Sequence, residues 1–548
     1  MKERLLLVAV FVFSLGYLRV GLEHGLSLYD EGVVNVGATR ILAGELPYRD
    51  YWECHAPGQL YLTAAVFKLF GPSVIVGRIL VLLMCAALAM VVFNLARLVA
   101  GGWAWLVWLL FLAVFYPTGY AAVPAAFMPT GTLGVIASLL CTTLFLQTRK
   151  SPWLLGAGLI VGLTALVRQD LGVYSALGEG LVLAGFLRHQ RLPLRRLVWF
   201  FLPIAAIVGP VVIVFLLKVP WSVLVYNFWT FPLQVFPSTR DLPYPRLSTP
   251  PLPLETWWQL LDSGYALRKL SWLAPFYVPP VVYLLTLGWL LTRKLRERCG
   301  GEGWDVTCWV ALLLLIVGAI SFNFLRIRPD LAHLMPFGLP ALLLLGLLAG
   351  WMWQGCAAGR ARAALGLGAL GLAAVILVVP GLVRWGFALR ESWRPPPYGT
   401  FTAPRAAGIR VGATERACEE AVAWVRENVP SNETLFVGSA RHDRLFINHL
   451  MLYFLTERPP ATRYHELHPG VATTYLVQQE IIQDLHEHRT RYVMLDCSAI
   501  PFGEAVGEPG ARLLDEYLGS EFHLTRVFGE PAGSGWDLRY MILERRVR

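Results

Sequence analysis

The chain has 548 residues, of which 56% are hydrophobic and only 15% charged, against about 25% charged in soluble proteins. That balance excludes an ordinary soluble enzyme and points to a polytopic membrane protein. The net charge of +10 does not indicate a nucleic-acid partner, because the basic residues sit in short clusters between apolar runs, the pattern that sets membrane orientation.

A bilayer crossing needs about 20 apolar residues. Runs near 4–22, 73–96, 102–116, 130–147, 153–167, 171–187, 197–217, 274–292, 305–324, 331–351 and 363–383 predict about eleven transmembrane helices. The first follows Met1-Lys2-Glu3-Arg4 without a small-x-small cleavage site, so it reads as a retained span with its N-terminus in the cytoplasm. Alternate connections then carry Arg97; Arg149 and Lys150; Arg188, Arg191, Arg195 and Arg196; Arg293, Lys294, Arg296 and Arg298; Arg360 and Arg362. Nearly every basic cluster falls on the inner side, as positive-inside topology requires. The chain is thus expected to be a multi-pass protein of the inner or plasma membrane, its odd span count leaving the C-terminal region outside.

Three outer connections are polar: 23–72, 218–272 and Arg326-Ile327-Arg328-Pro329-Asp330 leading to His333. The turn at Arg168-Gln169-Asp170 faces the same side. In the first, residues 31–43 and 59–70 suggest two helices lying along the interface, with Gly44 stopping the former. The second is rich in Pro and aromatics. Residues 1–384 form the expected transmembrane module and 385–409 a Pro/Arg-rich linker. Residues 410–548 alternate helices with the strands TLFVGS, RYVMLD, FHLTRVFG and LRYMILERR, which predicts a small α/β extracytoplasmic domain. It lacks a glycine-rich phosphate loop. The eight cysteines show no metal-ligand spacing. Cys418 and Cys497 would be able to pair in an extracytoplasmic tail, although nothing in the sequence requires it.

The adjacent carboxylates Asp30 and Glu31 suit acid–base chemistry. One would take a proton and the other would position an acceptor or share a divalent metal; the simpler alternative is that Asp30 caps a helix. In Pro47-Tyr48-Arg49-Asp50-Tyr51-Trp52-Glu53-Cys54-His55-Ala56-Pro57-Gly58, Arg49 and His55 are candidate phosphate contacts, set against an interfacial aromatic belt with snorkelling charges. Arg168 offers a bidentate fork for phosphate, or an ion pair with Asp170. Arg326, Arg328, Asp330 and His333 form a second cluster; if a helix begins here, Asp330 and His333 share a face. Glu179 lies within an apolar span, where an ionisable group is costly and calls for a partner or a cavity. Arg441-His442-Asp443 reads as a solvated turn.

An Asp-Glu pair after the first span, an interfacial helix, a G-x-x-PYRDY segment and a charged turn ending in Pro57-Gly58 together resemble the GT-C membrane glycosyltransferases. The likeness is to the lipid A aminoarabinose and lipopolysaccharide-core transferases, with protein O-mannosyltransferases as cousins. It implies an inverting transfer from a polyprenyl-phosphate sugar, at the extracytoplasmic face, to a lipid, glycan or protein acceptor, with Asp30 as base. It implies no nucleotide or redox cofactor, and allows a divalent metal on Asp30, Glu31 and His55. Arg49, Asp50, Glu53, His55, Arg168, Asp170, Arg326, Arg328, Asp330 and His333 are the expected substrate and lipid-phosphate contacts. Aminoarabinose transferases carry a Lys near the position of His55, whereas Glu53-Cys54-His55-Ala56-Pro57 is similar to the acidic-x-His-Pro-Pro run of O-mannosyltransferases.

About eleven spans also suit a transporter or lipid flippase, with Glu179 as a coupling residue. No inverted repeat or pair of broken helices accompanies them. A scaffold that kept the fold without catalysis is the third reading.

Overall fold

The computed structural model describes residues 2–116, 127–248, 263–298, 304–413, 415–443, 447–497, 511–529 and 539–547. The segment Glu255-Thr256-Trp257-Trp258 of the second outer connection lies outside them.

The apolar runs fold as helices because backbone groups at membrane depth must bond within their own segment. In chain order these are α1 Lys2–Leu18, α2 Asp30–Leu42, α3 Gly58–Phe70, α4 Val74–Ala100, α5 Ala104–Phe115, α6 Phe127–Thr148, α7 Pro152–Val167, α8 Gln169–His189 and α9 Val198–Lys218. The short α10 Trp221–Val225 leads through a π-helix, Tyr226–Val235, into α11 Phe236–Arg240. Then come α12 Ser263–Arg298, α13 Val306–Ile327, α14 Leu331–Ala357 and α15 Ala361–Ser392. Among the described residues, eight helical stretches are long and apolar enough to cross a membrane, and α7 is a shorter apolar helix. The run Val74–Phe115 within that eight turns back at Gly101, where φ is +58°, a conformation open to glycine but costly for a side chain.

The C-terminal region contains α16 Arg416–Asn428, β1 Leu435–Ser439, α17 Met451–Thr456, α18 Tyr475–Glu487, β2 Tyr492–Asp496, α19 Leu513–Glu521, β3 Phe522–Phe528 and β4 Tyr540–Arg545. The sheet order is β1-β2-β4-β3. The β1–β2 pair is parallel, β4 runs antiparallel to both neighbours, and a register shift falls at Leu524/Arg526.

Both faces of β1 and β2 are buried. Successive strand residues point to opposite faces, and the packing follows that alternation. Leu435, Val437, Tyr492 and Met494 share one core with α16, α17 and, from the first outer loop, Val36, Ala38, Ala64 and Phe67. Phe436, Val493 and Leu495 share another with α18 and α19, together with Trp52, Cys54 and Phe231. The sheet is therefore packed against residues of both the 23–72 and the 218–272 connections. This differs from an α2 lying open along an interface: Gly32 to Ala38 are all buried. A Cβ on Gly32 would stand 2.5 Å from the Met451 backbone nitrogen, so the glycine permits the contact between α2 and α17.

Candidate active site

Where the connections 23–72 and 218–272 meet α6, α8, α14 and the C-terminal region, a cavity of about 320 Å³ opens. Its polar lining includes Asp30, His55, Arg168, Arg240, Arg328, Asp330, His333 and His468. Phe115, Phe127, Met128 and Met335 supply an apolar wall. Five separate stretches of sequence thus bring ionisable groups to one chamber.

Asp30 is the first residue of α2, whose N-cap is Tyr29 with no side-chain cap bond. Its carboxylate is accessible to the cavity solvent while ringed by protein. Burial in that chamber raises its carboxyl above the ordinary aspartate range; Asp330 adds to the rise, and Arg328, Arg240 and His333 oppose it.

The opposite wall is the turn between α13 and α14. Asp330 caps α14 by accepting from the His333 backbone N–H at 2.9 Å and contacts His333 Nδ1 at 2.7 Å. Arg328 Nε donates to Asp330 at 3.1 Å. Burial works against ionisation here, but His333 and Arg328 outweigh it and hold the Asp330 carboxyl down at about 2. Phe324 orders two neighbours: His333 stacks on it at 4.8 Å and the Arg168 guanidinium lies 4.8 Å from its ring centre. Asp170 pairs with Arg168 at 3.1 Å and accepts from the Leu171 backbone N–H, so it orients that arginine from behind the cavity wall.

His55 is positioned from three sides. Its ring stacks on Phe127 at 4.6 Å. Glu53 Oε1 lies 2.9 Å from His55 Nδ1 and accepts the backbone N–H groups of Cys54 and His55. Gln169 fastens the turn to the start of α8, accepting from the Ala56 N–H at 2.9 Å and donating to the Cys54 carbonyl at 3.2 Å.

The remaining expected residues lie elsewhere. Glu31 is turned away into a buried ion pair: Arg78 reaches its two oxygens at 2.6 and 2.8 Å and also donates to the carbonyls of Leu22, His24 and Gly25. Arg49 and Asp50 pair with each other at the surface. Arg326 is exposed and contacts Asn323. Glu179 is fully buried between helices, accepting from Ser138 and Thr142. Cys418 and Cys497 are free thiols.

No family model matches the sequence, and no curated protein matches it. By structure, the chain is similar to ArnT from Cupriavidus metallidurans bound to undecaprenyl phosphate, with a TM-score of 0.51 and 14% identity over 99% of this chain and 98% of that one. The Archaeoglobus fulgidus oligosaccharyltransferase in complex with Zn and sulfate aligns at a TM-score of 0.48 and 15% identity, over 89% of this chain and 68% of that one. The likeness shows that the chain has the fold of that ArnT structure.

Within this fold, the residues expected to share a metal do not fit one. Both Glu31 oxygens are held by Arg78, and the cationic Arg328 and Arg240 act on Asp30. Among the described residues, Glu53, Cys54 and His55 bring ligand-type atoms within 4.8 Å of one another. However, Glu53 Oε1 is already committed to two backbone amides and His55, and burial pushes the Cys54 thiol well above its usual range.

Two cavity residues, Arg240 and His468, and Glu466 beside them escape the sequence reading. Arg240 lies in α11, and its buried Nε has no hydrogen-bond partner among the described residues. Burial and Arg328 pull its guanidinium down to about 10, which leaves it charged at neutral pH. The available signal is a cation on the side expected to be outer from sequence, where the positive-inside pattern does not call for one. His468 packs against Phe231 and Trp52, and burial keeps its pKa well below the usual histidine range. Beside it, Glu466 is 1% exposed and accepts the Tyr29 hydroxyl proton in a hydrogen bond. The sequence signal for these two was a dense ionisable run, His465-Glu466-Leu467-His468.

Proposed function

We propose that this chain is an inverting glycosyltransferase that moves a sugar from a polyprenyl-phosphate donor to a hydroxyl of a lipid, glycan or protein acceptor. The observation that carries the reading is one cavity in which Asp30 faces Arg168, Arg240 and Arg328. Asp30 takes the acceptor hydroxyl proton. The acceptor oxygen attacks the anomeric carbon, the bond from that carbon to the phosphate oxygen breaks, and polyprenyl phosphate leaves with the electron pair. Charge grows on the phosphate as that bond breaks, so fixed guanidinium groups stabilise the transition state more than the ground state. Arg240, with an unsatisfied donor, is the arginine best placed to accept the new charge. The Asp330–His333 pair orients the sugar-phosphate, and His55 closes the opposite side.

In this reading about eleven helices cross the membrane, the N-terminus is cytoplasmic, and the cavity opens at the extracytoplasmic face beneath the C-terminal region. A flippase would carry its cargo across intact, and the acid–base and arginine set facing one chamber favours bond breaking. The test uses proteoliposomes loaded with a radiolabelled undecaprenyl-phosphate sugar and membrane-lipid acceptors. Transfer predicts label leaving the donor together with stoichiometric undecaprenyl phosphate. Label that changes leaflet while still attached to undecaprenyl phosphate would overturn the reading.

A further inference from the structure

The C-terminal region grips the start of α2 at three successive points. The Met451 backbone N–H donates to the Leu28 carbonyl at 2.9 Å. The Tyr29 hydroxyl donates to the Glu466 carboxyl. Gly32 packs directly on Leu450 and Met451. Asp30 lies between these points, and its carboxylate faces the cavity. Few ways of turning the first residue of a helix are compatible with its neighbours being held on both sides. The Arg240 guanidinium also stands 6.0 Å from the Tyr29 ring centre, so the same tyrosine separates Glu466 from the cavity cations.

We infer that Glu466 is a positioning residue for Asp30: by its hydrogen bond to Tyr29 it sets the first turn of α2 and so the direction and surroundings of the Asp30 carboxylate. The inference rests on the glycosyltransferase reading for its consequence, and on the geometry alone for its content. It makes the C-terminal region part of the acid–base arrangement and not only a cover over the acceptor site. The charged and titratable groups acting on Glu466 are Glu53, Tyr29, Arg240 and Asp30. Those acting on Asp30 are Arg328, Asp330, Arg240 and His333. Asp30 therefore has the guanidinium groups of Arg328 and Arg240 near it as well as the Asp330 carboxylate, and loosening its helix lets its carboxylate swing towards the cations or towards water.

The experiment follows Asp30 directly. Full-length protein in detergent is labelled with a hydrophobic carbodiimide, which reacts with protonated carboxyls, and adducts at Asp30 are counted by peptide mass spectrometry across pH. Tyr29→Phe and Glu466→Ala are expected to lower the midpoint of Asp30 labelling by about half a pH unit or more, whereas Glu466→Gln, which keeps an acceptor for Tyr29, holds the wild-type midpoint. An unchanged midpoint in folded Tyr29→Phe overturns the inference, as does Glu466→Gln behaving like Glu466→Ala. Tyr29→Phe removes one hydroxyl and keeps the ring, so it stands as the test should Glu466→Ala not fold. Because labelling needs no donor, an absence of sugar transfer would sink the functional reading without moving this result.

Discussion

Asp30 and Glu31 are adjacent in the chain and opposite in role. Successive helical residues are separated by about 100° around the axis, so neighbours do not face the same way. Asp30 enters the cavity, and Glu31 enters the protein to meet Arg78. The sequence pair looked like a two-carboxylate site because both residues are acidic; only the helix phase separates them. Glu31 has a stability role that can be measured. Removing one partner of a buried ion pair leaves the other charge uncompensated, at a cost of about 3–5 kcal/mol. Glu31→Ala is therefore expected to lower the unfolding temperature markedly in detergent, and an unchanged melting curve would contradict the assignment. Glu466 makes a linked case. Burial, reinforced by Glu53, pushes its carboxyl up to about 8, above the ordinary glutamate value of about 4.3. A carboxyl raised on folding binds more protons in the native state, so it costs stability as pH rises from the unfolded value through about 8. Glu466→Gln removes that cost. Its melting temperature relative to wild type should thus be higher at pH 8.5 than at pH 5.5, and a difference independent of pH would contradict the linkage.

At the scale of elements, α2 is the joint between the membrane helices and the C-terminal sheet. Its burial on nearly every side comes from α3, α17 and the segment around Thr462 to His465, with Arg40 reaching the Thr462 carbonyl and His465. Gly32 permits the closest of these approaches. A methyl group there meets backbone and not a flexible side-chain end, so relief requires α17 to move; overpacking of this kind costs about 1–3 kcal/mol. Gly32→Ala should raise amide hydrogen exchange in α17 and at the start of α2 while leaving α4 and α14 protected. Equal exchange in all four helices would show that the contact is not holding the joint.

For the whole molecule, the legible part of the design was whatever carried a membrane cost. Asp30, His55, Arg168, Arg328, Asp330 and His333 could be named from sequence because ionisable groups beside apolar spans are expensive, and all six line the one cavity. The helix over 58–70 and the strand over TLFVGS followed from their apolar patterns. Arg240, Glu466 and His468 were not legible as site residues. Arg240 sits in a Pro-rich aromatic stretch that folds partly as a π-helix, where no regular period assigns a face. Glu466 and His468 sit in a region that reads as water-soluble, and local sequence does not distinguish a solvated polar residue from one buried against a distant loop. Burial here comes from contacts hundreds of residues apart, such as Tyr29 with Glu466.

We propose that Asp30 drives transfer inside this cavity while the arginines retain the lipid phosphate. It is tested most directly by comparing wild type with Asp30→Asn for two quantities: single-turnover transfer from an undecaprenyl-phosphate sugar, and affinity for undecaprenyl phosphate. Asp30→Asn is expected to slow transfer by about 10²–10⁴-fold, with lipid-phosphate affinity within a few-fold of wild type. Wild-type transfer is expected to lose rate as pH falls through an Asp30 pKa above the ordinary aspartate range. Transfer by Asp30→Asn at the wild-type rate would contradict it.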